Sequence, residues 1–244
     1  EEGETGGNIR YARQAPFRAD IGKLVDFQAN ELRRLGIEIH LNSKVDVEAV
    51  RKQDPDCVII AVGANPRRDG RQRNQPFVVP GADLPHVRSM QDVLSNKPES
   101  GIHALVLDDL GTYPPISVSE HLLSAGADVM MVSSLAGFGM GLAAAVVQRP
   151  SAERLGAYRG FSFLAFQTVA QITPTQVTLR ELGNNRVRTV DANLVVLCTA
   201  GEPRRDLYDA LLAAGKDVRI VGDAVAAGDL GTAVRSGHAA ALAV

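Results

Sequence analysis

Four short apolar runs without alternation constrain this chain more than any other feature: DCVIIAVGANP from residue 56, HALVLDD from 103, ADVMMVSS from 127 and NLVVLCTAGEP from 193. A strand with one face in water alternates apolar and polar side chains. An unbroken run needs cover on both faces, as strands of a parallel sheet have when other layers lie above and below. Parallel neighbours also require a crossover, and a helical pattern, ISVSEHLLSAG, lies between the second and third runs with Gly126 as its C-terminal cap. HALVLDD, this helix and ADVMMVSS therefore read as a complete βαβ unit, and the fold class is α/β.

The rest of the chain fits the same scheme. Residues 20–35 place Leu24, Phe27, Leu32 and Leu35 on one helical stripe, with Gly36 as the cap. IEIHL, at 37–41, alternates as a strand does, and Val45 and Val47 continue the extended pattern. The polar connection RRDGRQRNQPFVVPGADLP carries a basic cluster, Arg67 to Arg73, read as a solvated loop; it leads to the helix MQDVLSN and a break near Lys97 to Gly101. Residues 161–189 hold short β-branched runs separated by TPT and GNN, which predicts a small antiparallel meander. LYDALLAAG, VRIVGDA and GTAVRSGHAAALAV close the chain as helix, strand and helix. Two α/β modules follow, the second inserted before the last strand and helix of the first. The expected boundaries are 1–98 with 204–244 for the first and 99–203 for the second.

With 45% apolar and 22% charged residues, the 244-residue chain can bury a substantial core. A net charge of -2 gives no basic field to concentrate nucleic acid or anionic lipid, so neither is expected as a partner. Cys57 and Cys198 sit inside apolar runs and read as small core residues. The longest stretch of small apolar residues, 139–147, is too short for a membrane span, and EEGETGGNIR lacks the basic start and apolar centre of a signal peptide, so a cytoplasmic location is the default. The missing initiator Met and a Gly-rich turn within the first seven residues suggest sequence upstream of Glu1.

Three short motifs occur in order: EEGETGG at 1–7, IAVGA at 60–64 and VGDA at 221–224, followed by the AVRSGHAAA helix. With the GGNIRYARQAPFR, LRRLGIEIHLNSKV and VSEHLLSAGADVMMVSS stretches, they resemble, over essentially the whole chain, the NADH:flavin oxidoreductase family of trimethylamine dehydrogenase, histamine dehydrogenase and 2,4-dienoyl-CoA reductase. The resemblance implies two Rossmann-like dinucleotide-binding domains of the three-layer ββα/αβα type, the second inserted in the first, with the amino-terminal strand and helix of the first domain truncated. It also implies that the first domain binds FAD or ADP. A barrel domain holding FMN and a 4Fe-4S cluster would lie upstream. The other partners it implies are an electron-accepting protein and further copies of the same chain.

Cofactor contacts are carried over residue by residue. A carboxylate after the second Rossmann strand accepts both ribose hydroxyls of an adenosine; Glu1, Glu2 or a residue upstream holds that place. Gly6 and Gly7 let the backbone pass close to the cofactor. Val45 matches the position where the family's backbone meets the adenine ring. Ala61 and Gly63 follow a buried strand, where α/β folds bind ligands, and Gly222 and Asp223 end the VRIVG strand, where the aspartate would meet the ribityl chain or the phosphates. Ala227 and Gly228 stand where relatives often carry Pro-Arg.

The second module departs from a nicotinamide site. Its turn reads DDLGTYPPI, with Asp108, Leu110 and Tyr113 where G-x-G-x-x-G would place glycines, so NAD(P)H should not bind there. His40, His86, His103, His121 and His238 are scattered without metal-ligand spacing, and no G-x-S-x-G elbow occurs, so no catalytic residue is assigned. The readings that follow are an FAD- or ADP-binding portion of an amine-oxidising or enoate-reducing flavoenzyme, an NAD(P)H-dependent FAD reductase module, or a non-catalytic ADP-binding scaffold.

Overall fold

The computed structural model describes all residues except Glu1, Glu2, Pro98 and Glu99. Its helices are α1 (Ile9–Ala12), α2 (Gly22–Arg34), α3 (Val47–Gln53), α4 (Met90–Leu94), α5 (Tyr113–Ser124), α6 (Arg149–Gly156), α7 (Asp206–Ala213) and α8 (Leu230–Leu242). Its strands are β1 (Val58–Ile60), β2 (Ala64–Asn65), β3 (Val87–Ser89), β4 (His103–Asp108), β5 (Asp128–Ser133) and β6 (Phe161–Leu164), then β7 (Gln167–Ile172), β8 (Gln176–Glu181), β9 (Val187–Asp191), β10 (Leu194–Cys198), β11 (Glu202–Pro203) and β12 (Val218–Ile220). The chain divides into two units: Glu1–Gly7, Ala29–Pro66 and Gly201–Val244 form the first, Asn8–Gln28 and Arg67–Ala200 the second.

The second unit is built on a parallel sheet in the order β3-β10-β4-β5-β6. Its central strands show why the apolar runs do not alternate. In β4, Ala104 and Val106 enter one buried cluster while Leu105 and Leu107 enter the other; Val129 and Met131 against Met130 and Val132 in β5, and Val196 and Cys198 against Val195 and Leu197 in β10, divide the same way. The period of two persists, but both faces are dry. One face is covered by α4, α5 and α6 through Val93, Leu94, Ile116, Leu122 and Leu155. The other is covered by the antiparallel meander β7-β8-β9 through Val169, Ile172, Val177 and Leu179. This unit has the three-layer helix, sheet, sheet architecture.

The first unit pairs β1 with β12 in parallel and β2 with β11 antiparallel. Its core gathers Val50 of α3, Ile60 of β1 and Leu211 of α7.

Several expectations are corrected. Residues 37–41 form no strand, and Ile37 and Leu41 are exposed; no described strand lies beside them, and extended backbone without a partner leaves its ladder groups unpaired. Val47 opens α3 instead of extending a strand, because Asp46 caps that helix, its Oδ1 accepting the Ala49 N–H at 2.9 Å. In α2 the buried residues are Gly22, Val25 and Ala29, while Phe27, and Leu35 just after the helix, are exposed. The meander begins at Gln167; Phe161–Leu164 is instead the edge strand of the parallel sheet, paired with β5. The second compact unit takes in Asn8–Gln28 as well as Arg67–Ala200, and within it Val87–Ser89 pairs with β10. Cys57 precedes its strand and is half-buried, whereas Cys198 is a core thiol.

The connection itself is not a solvated loop. Arg67 donates to the Ala200 carbonyl and to Asp69, Arg68 pairs with Asp92 at 2.7 Å, and Gln72, 4% exposed, exchanges hydrogen bonds with the Val169 backbone. Its basic residues are spent holding it down. The helix that follows starts with a reciprocal cap, Ser89 Oγ accepting from the Asp92 N–H and Asp92 Oδ2 accepting from the Ser89 N–H.

Candidate functional site

In the first unit two parallel strands end side by side. Ile60 registers with Ile220, and the Val221 N–H donates to the Ile60 carbonyl at 2.9 Å. Beyond that bond the chains turn away, one through Ala61, Val62 and Gly63, the other through Gly222 and Asp223. Four of the residues expected from the sequence are thus brought to one sheet edge, at the carboxyl ends where α/β folds bind ligands.

Each turn there is fixed by its own bonds. Gly63 has φ 75°, and no atom lies within 4 Å of the position a Cβ would take, so the backbone faces open space. The Arg204 N–H donates to the Gly63 carbonyl at 3.1 Å and its guanidinium to the Val62 carbonyl at 3.3 Å, a clamp that sequence reading missed. Gly222 has φ 62° and its N–H donates to Ser236 Oγ at 3.0 Å; that hydroxyl donates to the Ala233 carbonyl, tying the strand end to α8. Asp223 Oδ1 accepts the Gly228 N–H at 3.0 Å, so this carboxylate shapes the loop that Ala227 and Gly228 belong to. Asp229 is the N-cap of α8, accepting the Thr232 N–H at 2.6 Å, and those bonds hold its carboxyl below the ordinary range.

Gly6 and Gly7 belong to the same unit, with φ of 113° and 50°, conformations that side chains resist; no atom lies within 4 Å of a Cβ built on Gly7. Val45 is 50% exposed and immediately precedes the cap of α3. Ala61 is exposed. Glu1, with its alternative Glu2, lies outside the described residues.

The turn after β4 in the second unit is filled from within. Asp108 is 1% exposed, and its Oδ1 accepts the N–H of Leu110 at 3.0 Å and of Gly111 at 2.6 Å. Those are the donors a phosphate would need at this turn. The sequence placed Asp108 as a repulsive group; the structure shows it turned onto the backbone, acting as the turn's own anion. Burial raises its pKa against the pull of those two N–H groups and of Arg73. Asp109, 7% exposed, accepts the Arg73 N–H through both oxygens at 3.1 and 3.0 Å, and Arg73 Nη2 returns a bond to the Asp109 carbonyl at 2.7 Å. Burial pushes Asp109 up to about 6, with the Asp108 charge adding to the effect and Arg73 opposing it. Tyr113 starts α5, Pro114 and Pro115 lie in its first turn, and the Arg18 guanidinium stacks 3.9 Å over the Tyr113 ring. Gly111 (φ 66°) supplies the bend, its carbonyl accepting the Gly141 N–H at 2.8 Å; a Cβ there would meet Leu135 at 2.5 Å.

No family model matches the chain. Among curated proteins it is 29% identical over 130 residues to a probable N-methylproline demethylase of Rhizobium meliloti (strain 1021), covering 53% of this chain and 18% of that protein. It is 24% identical over 250 residues to a bilirubin reductase of Mediterraneibacter gnavus (strain CC55_001C), covering 99% and 36%. Among solved structures it superposes on the 6-hydroxypseudooxynicotine amine oxidase from Pseudomonas geniculata N1 with a TM-score of 0.91 at 27% identity, over 98% of this chain and 36% of that one. The chain thus spans between 18% and 36% of the length of these proteins. Over its own length, the chain is homologous to the FAD/NAD(P)-binding part of the flavin oxidoreductases that include amine dehydrogenases, demethylases and enoate and bilirubin reductases.

Proposed function

We propose that this chain is the FAD- or ADP-binding portion of an amine dehydrogenase/demethylase-like or enoate reductase-like flavoenzyme, with substrate chemistry performed outside residues 1–244. The observation that supports it is the convergence of Gly63 with Gly222 and Asp223 at the carboxyl ends of adjacent parallel strands. The residues present fit a dinucleotide: Gly63 and Gly7 face open space, as close backbone approach requires. Bound FAD would supply electron transfer. The chain's own residues bind and orient: Gly63 and Gly222 admit the cofactor to the strand ends, Arg204 and Ser236 hold those ends in place, and Asp223 offers a carboxylate for a hydroxyl while fixing the loop before α8. Glu1, Glu2 or a residue before them would take the ribose.

In this reading the second unit accepts no nicotinamide nucleotide. A helix N-terminus favours a phosphate by a fraction of a kcal/mol to about 1 kcal/mol. Here the turn's N–H groups are already engaged, and the carboxylate engaging them would have to leave or face a diphosphate at a cost of several kcal/mol. Electrons would then enter from an organic substrate at an FMN-bearing barrel with its 4Fe-4S cluster and leave to an electron-accepting protein.

Stopped-flow mixing of the oxidised full-length protein with NADH and with NADPH tests this. No saturable flavin bleaching is expected. Rapid, saturable bleaching that is lost on substituting the 108–113 turn would establish an NAD(P)H-dependent FAD reductase module instead. Cofactor released on denaturing the same protein separates an FAD site from a scaffold: ADP without FAD would assign this portion the scaffold role.

A further inference from the structure

The connection ahead of β3 folds into a tight hairpin of its own, within the second unit. Gln72 and Gln75 exchange backbone hydrogen bonds at 2.9 and 3.0 Å, which leaves Arg73 and Asn74 as a two-residue tip. The two glutamines anchor it on β7. Both donate from Nε2 to the Val169 carbonyl, at 3.0 and 2.9 Å, and Gln72 Oε1 accepts the Val169 N–H at 2.9 Å. None of these groups ionises. The tip itself reaches the carboxyl ends of the neighbouring strands β4 and β10, where open α/β sheets take their ligands. It does so through Asp109, which accepts the Arg73 N–H and whose own N–H donates to the Cys198 carbonyl at 3.1 Å.

The charges at that contact do not balance. Asp108 and Asp109 are adjacent and 1% and 7% exposed, and Arg73 is the cation that acts on both. Its Nε lies 3.8 Å from Asp109 Oδ1, and its side chain is half in water, which screens it. The hairpin's other charges, Asp69 and Arg71, pair with each other at 3.3 Å. From β10 the Cys198 thiol faces the pair, and burial pushes its pKa well up, so it is neutral; from β5 the Ser133 hydroxyl donates to the Asp108 carbonyl. Tyr113, at the start of α5, is stacked under Arg18. Asp108 has the N–H groups of Leu110 and Gly111 to hold its charge, whereas Asp109 has the single Arg73 N–H, shared between its two oxygens. The excess negative charge is therefore relieved at Asp109, either by a proton or by water reaching the carboxylate. A proton leaves the tip in place. Water requires Arg73 to move.

We propose that the hairpin tip is a proton-operated latch: with Asp109 protonated, Arg73 stays seated over the ends of β4 and β10, and with Asp109 ionised it lifts, pivoting on Gln72 and Gln75. Burial, the largest influence on Asp109, pushes it up to about 6, whereas in the lifted state the carboxyl is solvated and returns towards its ordinary 3.8. The seated form thus holds the proton more tightly. Seating is strongest below about pH 4, weakens as pH rises to about 6 and is constant beyond.

Amide hydrogen exchange of the full chain, followed by NMR from pH 4 to 7 and divided by the intrinsic rate at each pH, tests the latch. The opening constant at the Arg73 amide should rise about tenfold between pH 4 and 6 and then level off, the hundredfold limit set by two pKa units being reduced by solvent screening. The Gln75 amide, bonded to the Gln72 carbonyl, should keep constant protection. Low urea should leave the Arg73 rate unchanged, because a local opening exposes little surface. Asp109→Asn should flatten the profile at position 73, and Arg73→Gln, which keeps the N–H and removes the positive charge, should carry the rise above pH 6. A flat Arg73 profile, an equal rise at Gln75, or an Arg73 rate as sensitive to urea as those of core amides would each overturn the proposal, as would an undiminished rise in Asp109→Asn. The first three comparisons use the unsubstituted chain and decide the matter even where a variant fails to fold.

Discussion

Single carboxylates carry most of what can be tested at the smallest scale. Asp109 has its pKa raised from 3.8 to about 6 because it is buried beside Asp108. The folded protein therefore holds a proton that the unfolded chain has released between about pH 4 and 6, and stability falls as pH rises through that window. Two pKa units correspond to about 3 kcal/mol, and partial solvent screening reduces this to about 1–2 kcal/mol. Asp109→Asn still accepts the Arg73 N–H but cannot ionise, so its denaturation midpoint should decline less than that of the unsubstituted chain between pH 4 and 6. Parallel curves would remove Asp109 from the linkage. Asp223 and Asp229 form a second contrast. In the full-length flavoprotein, Asp223→Ala should weaken FAD retention about tenfold or more, the loss of a hydrogen bond to a charged group. Asp229→Ala should cost about 1 kcal/mol of stability from the α8 cap and leave retention nearly unchanged. Equilibrium dialysis of FAD against both variants checks this, and equal losses would reject the assignment of Asp223.

At the scale of elements, the contact between sheet and connection is the sensitive one. Gly81 has φ 84°, and a Cβ there would overlap the Ile172 carbonyl oxygen, where the end of β7 bonds to the Pro80 carbonyl through the Ile172 N–H at 2.8 Å. Gly81→Ala should therefore cost at least about 1–3 kcal/mol, combining a strained φ with a backbone displacement. Gly126→Ala, where the built Cβ meets nothing within 4 Å, bears only the φ term at its 85° and should cost about 1 kcal/mol. Urea denaturation of the two variants ranks them; the reverse order would show that the 80–84 turn yields more easily than its contacts imply.

For the whole molecule, the two units differ in how much they bury. Among the described residues the second has a five-stranded sheet with fully buried residues on both faces, while the first has two sheets of two strands each and a core centred on Val50, Ile60 and Leu211. Two-stranded pairs are marginal by themselves, so amides of β1 and β12 should exchange with solvent at least about a hundredfold faster than those of β4, β5 and β10. Hydrogen exchange followed by mass spectrometry measures both sets in one experiment, and equal protection would mean that the first unit draws stability from something other than its own core. Among the described residues no helix is long and apolar enough to cross a membrane.

Sequence alone determined what local chemistry determines. The apolar runs made β4, β5 and β10 strands of a covered parallel sheet, Gly36 and Gly126 ended their helices, and Gly63 and Gly222 came to follow the ends of the neighbouring strands β1 and β12. Each of these depends on a residue's own conformational limits or on a short hydrophobic period. What tertiary structure decided depends on partners far away in sequence. IEIHL alternates like a strand yet has none beside it among the described residues; the Arg67–Arg73 cluster reads as solvated yet is fixed by Asp92, Ala200 and Val169. Asp108 was legible as a misfit in a glycine turn, but that its carboxylate would turn inward onto two backbone N–H groups depended on burial at the end of β4, with β10 and β5 on either side.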